Sequence, residues 1–193
     1  MCVVRTARIA SALLMGVAVF AYSGWLLEFF LPTGVSPVGD PVEALLAGPP
    51  VFRILLAVSG AAFLLAGPPL HRLGPVHWTA RLSSISVSAF GLVVLAQAAY
   101  PESSGWISSL LSVVLMVGVI SLVLWWPPGW RALAVVGLVL VMATWLAVVL
   151  ARQLDTFEGV FTRIQLVLRA VLFGVGGAYA FIKPAPRHAP RGG

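Results

Sequence analysis

Polar residues that interrupt long apolar segments are the residues of this chain most able to do chemistry. Arg169 is the clearest case, because it lies well inside the apolar segment from residue 160 to 182. A charge in apolar surroundings must be paired, hydrated or bound to a ligand, since its desolvation costs so much free energy. The candidate residues for a binding site or a buried polar network are Glu28, Arg53, Glu158, Thr162, Arg163, Gln165 and Arg169.

Helical spacing groups four of these residues. Glu158, Thr162, Gln165 and Arg169 stand at i, i+4, i+7 and i+11, which places them on one face of a helix. Glu28 and Arg53 each lie a few residues inside the same end of their own apolar segments and therefore at similar depth. The sequence thus predicts a polar stripe on the last helix and an ion pair between Glu28 and Arg53.

Composition indicates which elements hold these residues. Hydrophobic residues make up 60% of the chain, charged residues only 9%, and the mean hydropathy is +1.03. Soluble domains contain roughly 25% charged residues, and a helix of about 20 apolar residues crosses a bilayer. The sequence predicts an all-α polytopic membrane protein, a single bundle of six transmembrane helices in one domain. The predicted spans are about 9–31, 51–67, 82–100, 106–126, 132–151 and 160–182, followed by a short basic tail, 183–193.

Charges are segregated between alternate gaps. All six acids fall in or beside one set of gaps, whereas the other gaps and both termini hold only basic residues; the acids are Glu28, Asp40, Glu43, Glu102, Asp155 and Glu158. Cytoplasmic loops retain Lys and Arg during insertion, so we expect both termini in the cytoplasm. Arg outnumbers Lys eleven to one in an Ala-, Val- and Gly-rich chain. That bias is typical of GC-rich bacterial genes and predicts a bacterial plasma membrane.

Two interpretations of the polar residues remain open. Either they form a buried network that fixes how the helices pack, or they line an outward-facing cavity with Arg169 at its floor. Such a cavity would hold an anionic or lipid headgroup, or pass a solute. The expected partners are the lipid bilayer, anionic headgroups or other membrane helices, and the net charge of +6 indicates topology rather than nucleic-acid binding.

Catalytic and metal-binding signatures are lacking. His71 and His77 share one basic gap and His188 lies in the tail, with no cysteine pair or acid at metal-ligand spacing. We therefore expect no catalytic residues, no metal and no cofactor. A non-enzymatic protein acting through helix partners or lipid is the first functional hypothesis, and a small transporter or headgroup binder is the second. An intramembrane lipid-modifying enzyme is the third, and it would need Glu28, Glu43 or Glu158 as a general acid or base.

The gap between the first two spans predicts a short helix. Asp40-Pro41-Val42-Glu43 has the residue types of a helix start, with Asp as the cap, Pro in the first turn and Glu reaching back. Residues 44–47 would continue it for about one turn before Gly48-Pro49-Pro50. We expect this piece to lie flat on the outer surface.

Short motifs of this chain resemble a known family. They are Glu28 with Leu31-Pro32, Ser36-Pro37 through Asp40-Pro41, Leu45 to Pro49, Ala66-Gly67, Gly91 to Tyr100-Pro101 and Gly159-Val160-Phe161-Thr162-Arg163. This pattern is similar to the domain of unknown function 998 family, small bacterial membrane proteins of about six spans. The resemblance implies a fold and a location, not a reaction. Family members often carry a His near the start of span four, and residues 101–109 contain none.

Overall fold

The computed structural model describes residues 2–75, 77–154 and 156–182. In these ranges the chain is helical between short turns and contains no strand. Three 3₁₀ helices, Ser23–Phe29, Val42–Ala47 and Pro101–Ser103, accompany the α-helices. The α-helices are α1 (Cys2–Tyr22), α2 (Pro50–Leu73), α3 (Trp78–Ala99), α4 (Ser104–Trp125), α5 (Pro128–Leu154) and α6 (Glu158–Ile182).

Six helical segments are long and apolar enough to cross a membrane, the first of them comprising most of α1 and the 3₁₀ helix that follows it. The predicted all-α fold with six spans is therefore confirmed, and the chain is a multi-pass membrane protein. The tail 183–193 and Asp155 lie outside the described residues.

Helix α2 runs beyond its predicted end at Gly67. It includes Pro68 and Pro69 and ends at Leu73. A proline removes the hydrogen bond to the carbonyl four residues earlier, and for Pro68 that carbonyl belongs to Leu64. The Ser88 hydroxyl of α3 donates to the Leu64 oxygen at 3.1 Å. A neighbouring helix thus satisfies the freed acceptor, which is how membrane helices tolerate proline.

The helices form a closed ring. Each helix packs on the next in the chain, and α6 packs on α1. Helices α1, α3 and α5 begin at one end of the ring, here called the basic end, and α2, α4 and α6 begin at the other, the acidic end. The closest helix contact is between α2 and α3, where a Cβ on Gly60 would lie 2.9 Å from the Gly91 carbonyl oxygen. Glycine at both positions lets the two backbones touch.

An aromatic cluster fills the middle of the ring. The centroid of the Phe63 ring lies 5.4 Å from the centroid of Phe90 and 4.4 Å from that of Phe173. Tyr22 contacts both Phe63 and Phe90 edge-on. Phe63 and Phe90 are completely buried. The cluster joins α1, α2, α3 and α6 into one core.

The short helix in the gap between α1 and α2 exists, but it differs from the prediction in form and position. It is the 3₁₀ helix Val42–Ala47, and no side chain caps it. The Asp40 carboxylate instead accepts a hydrogen bond from the Ser36 amide at 2.7 Å. Leu45 and Leu46 are buried against Phe52. The helix therefore covers the acidic end of the ring, because two adjacent leucines stabilise the fold more when they are buried than when they are exposed.

Candidate functional site

Helix α6 carries the predicted polar stripe into the interior of the ring. Thr162, Gln165 and Arg169 are all buried, and Glu158 at the start of the helix is half-buried. The helical period places the three buried residues on one face, and that face points towards α1 and α4 rather than towards lipid.

Arg169 is bound only by neutral groups. Its Nη2 donates to the Ser112 hydroxyl at 2.7 Å and to the Ser108 carbonyl at 3.4 Å, and its Nη1 donates to the Tyr22 hydroxyl at 3.3 Å. Its Nε has no hydrogen-bond partner. Among the described residues, no carboxylate oxygen lies within 4.0 Å of this guanidinium. A residue that is only 3% exposed thus holds a positive charge without a counter-charge.

A polar cavity of about 60 Å³ borders Arg169 at the acidic end. Its apolar lid comes from Trp25 and the buried leucines of the 3₁₀ helix Val42–Ala47. A water needs roughly 10–15 Å³ of such volume, so the cavity holds a few waters or one small polar group. The polar residues that line it are Tyr22, Glu43, Gln97, Ser108, Thr162, Gln165 and Arg169.

Glu43 places a negative charge on the same cavity. Its Oε1 lies 4.0 Å from Arg152 Nη2, and its buried Oε2 has no hydrogen-bond partner. No ion pair joins Glu43 to Arg169, although both line the cavity. Of the three carboxylates that could act as a general acid or base, only Glu43 borders this space.

Arg163 is the partner of Glu28, and the predicted pair between Glu28 and Arg53 is wrong. Arg163 Nε and Nη2 donate to the two Glu28 oxygens at 2.6 and 2.5 Å. Arg163 Nη1 also donates to the backbone carbonyls of Pro37 and Asp40. Both charged side chains are buried. Equal depth suggested Arg53, but ring closure brings α6 against α1 and supplies a better-oriented guanidinium.

Arg53 and Glu158 lie outside the buried network. Arg53 is exposed, and its Nε donates to the Leu46 carbonyl. Glu158 accepts a hydrogen bond from Arg152 Nε at 2.5 Å in a half-buried pair. Of the seven candidate residues, Thr162, Gln165 and Arg169 border the cavity, whereas Arg163 with Glu28 forms a separate structural pair.

Sequence reasoning missed Tyr22, Ser108 and Ser112. Gln165 Nε2 and Arg169 both donate to the Ser112 hydroxyl, so this serine joins two residues of the stripe. Ser108 and Ser112 stand four residues apart, on one face of α4. That spacing in a largely apolar helix was a usable signal, whereas Tyr22 has no such pattern around it.

A second and much larger cavity opens at the basic end. Its volume is about 1360 Å³, and it shares no lining residue with the polar cavity. Phe90 and Phe173 of the aromatic cluster border the large cavity, and Tyr22 borders the small one. The aromatic cluster therefore separates the two spaces.

Neither metal ligands nor known relatives add to this geometry. The described residues contain no group of three His, Cys, Asp or Glu side chains that could hold a metal ion. No family model, curated protein or solved structure matches the chain. The resemblance to the domain of unknown function 998 family stays a prediction.

Proposed function

We propose that this chain is a non-enzymatic protein of a bacterial plasma membrane that binds a small anionic group in the polar cavity, with Arg169 as the counter-charge. The observation that carries the proposal is the buried guanidinium without a carboxylate partner. A charge inside the membrane costs at least about 2.5 to 3.5 kcal/mol unless it is paired or hydrated. A bound anion would supply the missing pairing.

A purely structural role explains Arg169 poorly. The other buried or half-buried arginines at the acidic end have carboxylate partners: Arg163 binds Glu28 and Arg152 binds Glu158. A neutral side chain could form the hydrogen bonds to Ser112 and Tyr22 without the cost of burying a charge. The charge itself therefore indicates a ligand of opposite sign.

Glu43 narrows the class of ligand. A dianion would be repelled by a carboxylate in the same small space, whereas a group with one negative and one positive end could meet both residues. The chemistry fits a zwitterionic lipid headgroup or a small zwitterionic solute. The basic residues at the opposite end support cytoplasmic termini, so the polar cavity would face outward.

Thermal unfolding in detergent tests the proposal with water-soluble probes. We would add the monoanionic phosphodiesters glycerophosphoethanolamine or glycerophosphocholine, or inorganic phosphate, to the purified full chain. A probe at about 100 times its Kd stabilises the folded state by about 2.7 kcal/mol, so we expect a higher Tm with glycerophosphoethanolamine. Arg169→Gln should abolish this response, and the exposed control Arg53→Gln should keep it.

Native mass spectrometry on protein extracted gently from its own membrane forms the second arm. We expect the unmodified chain to retain a small zwitterion or a zwitterionic lipid, and Arg169→Gln to lose it. If the probes leave Tm unchanged and both proteins carry the same molecules, the proposal is wrong.

A small transporter is the second candidate, favoured by the two cavities on either side of the aromatic cluster. Alternating access would open the polar cavity to each side in turn. Gln165→Cys in a Cys2→Ser background tests this with a membrane-impermeant thiol reagent. Transport predicts labelling in both right-side-out and inverted vesicles, whereas a binding protein should be labelled from the acidic end alone.

A further inference from the structure

The large cavity at the basic end has the character of a lipid-chain site. Its volume of about 1360 Å³ exceeds the roughly 300 to 1,000 Å³ of ordinary small-molecule pockets. Its walls are mostly apolar and come from all six helices; examples are Met15, Leu70, Val87, Leu115 and Leu172. A water-soluble ligand would leave most of these walls in contact with water, which is unfavourable.

The polar part of this cavity is basic. Arg5 and Arg8 at the start of α1 and Arg72 in the last turn of α2 line it. Among the residues that the structure describes, no acid lines it. The cations thus lie at the level where a lipid phosphate would sit, while the apolar walls extend inward to Phe90 and Phe173 of the aromatic cluster.

We infer that this cavity is a binding site for an anionic phospholipid, with its acyl chains between the helices and its phosphate at Arg5, Arg8 and Arg72. A basic lining that includes no acid among the described residues selects against zwitterionic headgroups, whose positive end would be repelled. The long apolar walls select against free phosphate. This site is independent of the polar cavity, with which it shares no residue.

Two glycines of α6 provide a matched pair for testing occupancy. A Cβ added at Gly176 or at Gly174 would meet no atom within 4 Å. Gly176 lines the large cavity, whereas Gly174 is exposed and does not line it. Gly176→Leu should therefore project into the cavity without a backbone clash, and Gly174→Leu should project away from it.

Two arginine pairs provide a matched test of charge. Arg5→Gln with Arg72→Gln removes two cations from the cavity, and Arg81→Gln with Arg131→Gln removes two exposed cations at the same end that do not line it. Each arginine near an anionic surface contributes about 1 kcal/mol, or about a fivefold preference. We expect the first pair to lower the preference for anionic lipid by about 25-fold and the second pair to change it much less.

The measurement is native mass spectrometry of the full chain in nanodiscs containing equal amounts of phosphatidylglycerol and phosphatidylcholine with identical chains. We expect the unmodified chain and Gly174→Leu to retain phosphatidylglycerol, and Gly176→Leu to lose it. Equal retention of both lipids by the unmodified chain would overturn the inference without any variant. So would unchanged retention in both Gly176→Leu and the Arg5/Arg72 variant, provided that each elutes as a single species.

Discussion

The two ends of the ring hold charge near hydrocarbon in opposite ways. At the acidic end, charges of both signs meet: Arg163 binds Glu28 with two hydrogen bonds, and the loop backbone binds the same guanidinium. At the basic end, Arg5 and Arg72 border a wide apolar space that no acid among the described residues lines. The acidic end is thus held together by its own side chains, whereas the cavity that Arg5 and Arg72 face supplies no described acid as a counter-charge.

This difference implies that substitutions should be costly at the acidic end and mild at the basic end. A residue whose partners are all protein groups loses them when it is changed. A residue that faces an open cavity has few protein contacts to lose. Variants at the two ends test that comparison.

Arg163→Gln should destabilise the protein most. It leaves the Glu28 carboxylate buried without its partner, which costs about 3 to 5 kcal/mol. The loss is measured in maltoside micelles by adding a second, denaturing detergent and following the helix content by circular dichroism. Combining it with Glu28→Gln should recover part of the stability, and Arg53→Gln is the exposed control. Equal losses of stability in Arg163→Gln and Arg53→Gln would show that the buried pair contributes no more to stability than an exposed arginine does.

Gly159→Ala should cost about 1 to 3 kcal/mol by overpacking. A Cβ at this position would lie 2.5 Å from the Asp40 carbonyl oxygen and 2.7 Å from that of Pro37. Either the loop must move or the start of α6 must shift. The same unfolding assay measures the effect, with Gly174→Ala as a control on the same helix, and a neutral Gly159→Ala would mean that the loop yields easily.

Ser112→Ala should cost about 1 kcal/mol, the typical range for hydrogen bonds between membrane helices. The serine hydroxyl accepts from both Arg169 and Gln165. Ser109→Ala is a matched control, because that hydroxyl binds only the Gly105 carbonyl of its own helix. Besides stability, Ser112→Ala should weaken the response to glycerophosphoethanolamine; an unchanged response would place Ser112 outside the binding site.

Gly176→Ala at the basic end should stabilise the protein slightly, by a few tenths of a kcal/mol, because alanine favours a helix and the added Cβ meets open space. The change in the free energy of unfolding therefore has the opposite sign to the change caused by Gly159→Ala. The two variants, unfolded side by side, compare the packing of the two ends directly. A clear destabilisation by Gly176→Ala would contradict the open cavity.

The sequence was sufficient for the number of helices and for the face of α6 that carries Arg169. Both depend on local patterns, namely apolar length and the helical period. The positions of Thr162 and Gln165 on the inward face follow from the same period. Helix ends were less predictable, since α2 continues through Pro68 and Ser88 of another helix satisfies the freed Leu64 carbonyl.

The partners of the charged residues could not be predicted in the same way. Depth alone matches Glu28 with Arg53 as well as with Arg163, and only the closure of the ring by α6 decides between them. Likewise, Tyr22 reaches Arg169 across a separation of 147 residues. The cavities also arise from helix packing, so no short sequence motif predicts them.

Closure of the ring by its last helix has a consequence for biosynthesis. Glu28 and Arg163 are 135 residues apart. At about 5 to 20 residues per second, a ribosome needs on the order of ten seconds to make the intervening chain. During that interval the Glu28 carboxylate lacks its Arg163 partner, and the loop that closes the acidic end lacks the helix on which it packs. A nascent chain interrupted before Arg163 therefore retains an unneutralised acid near the bilayer, which distinguishes it chemically from the finished protein.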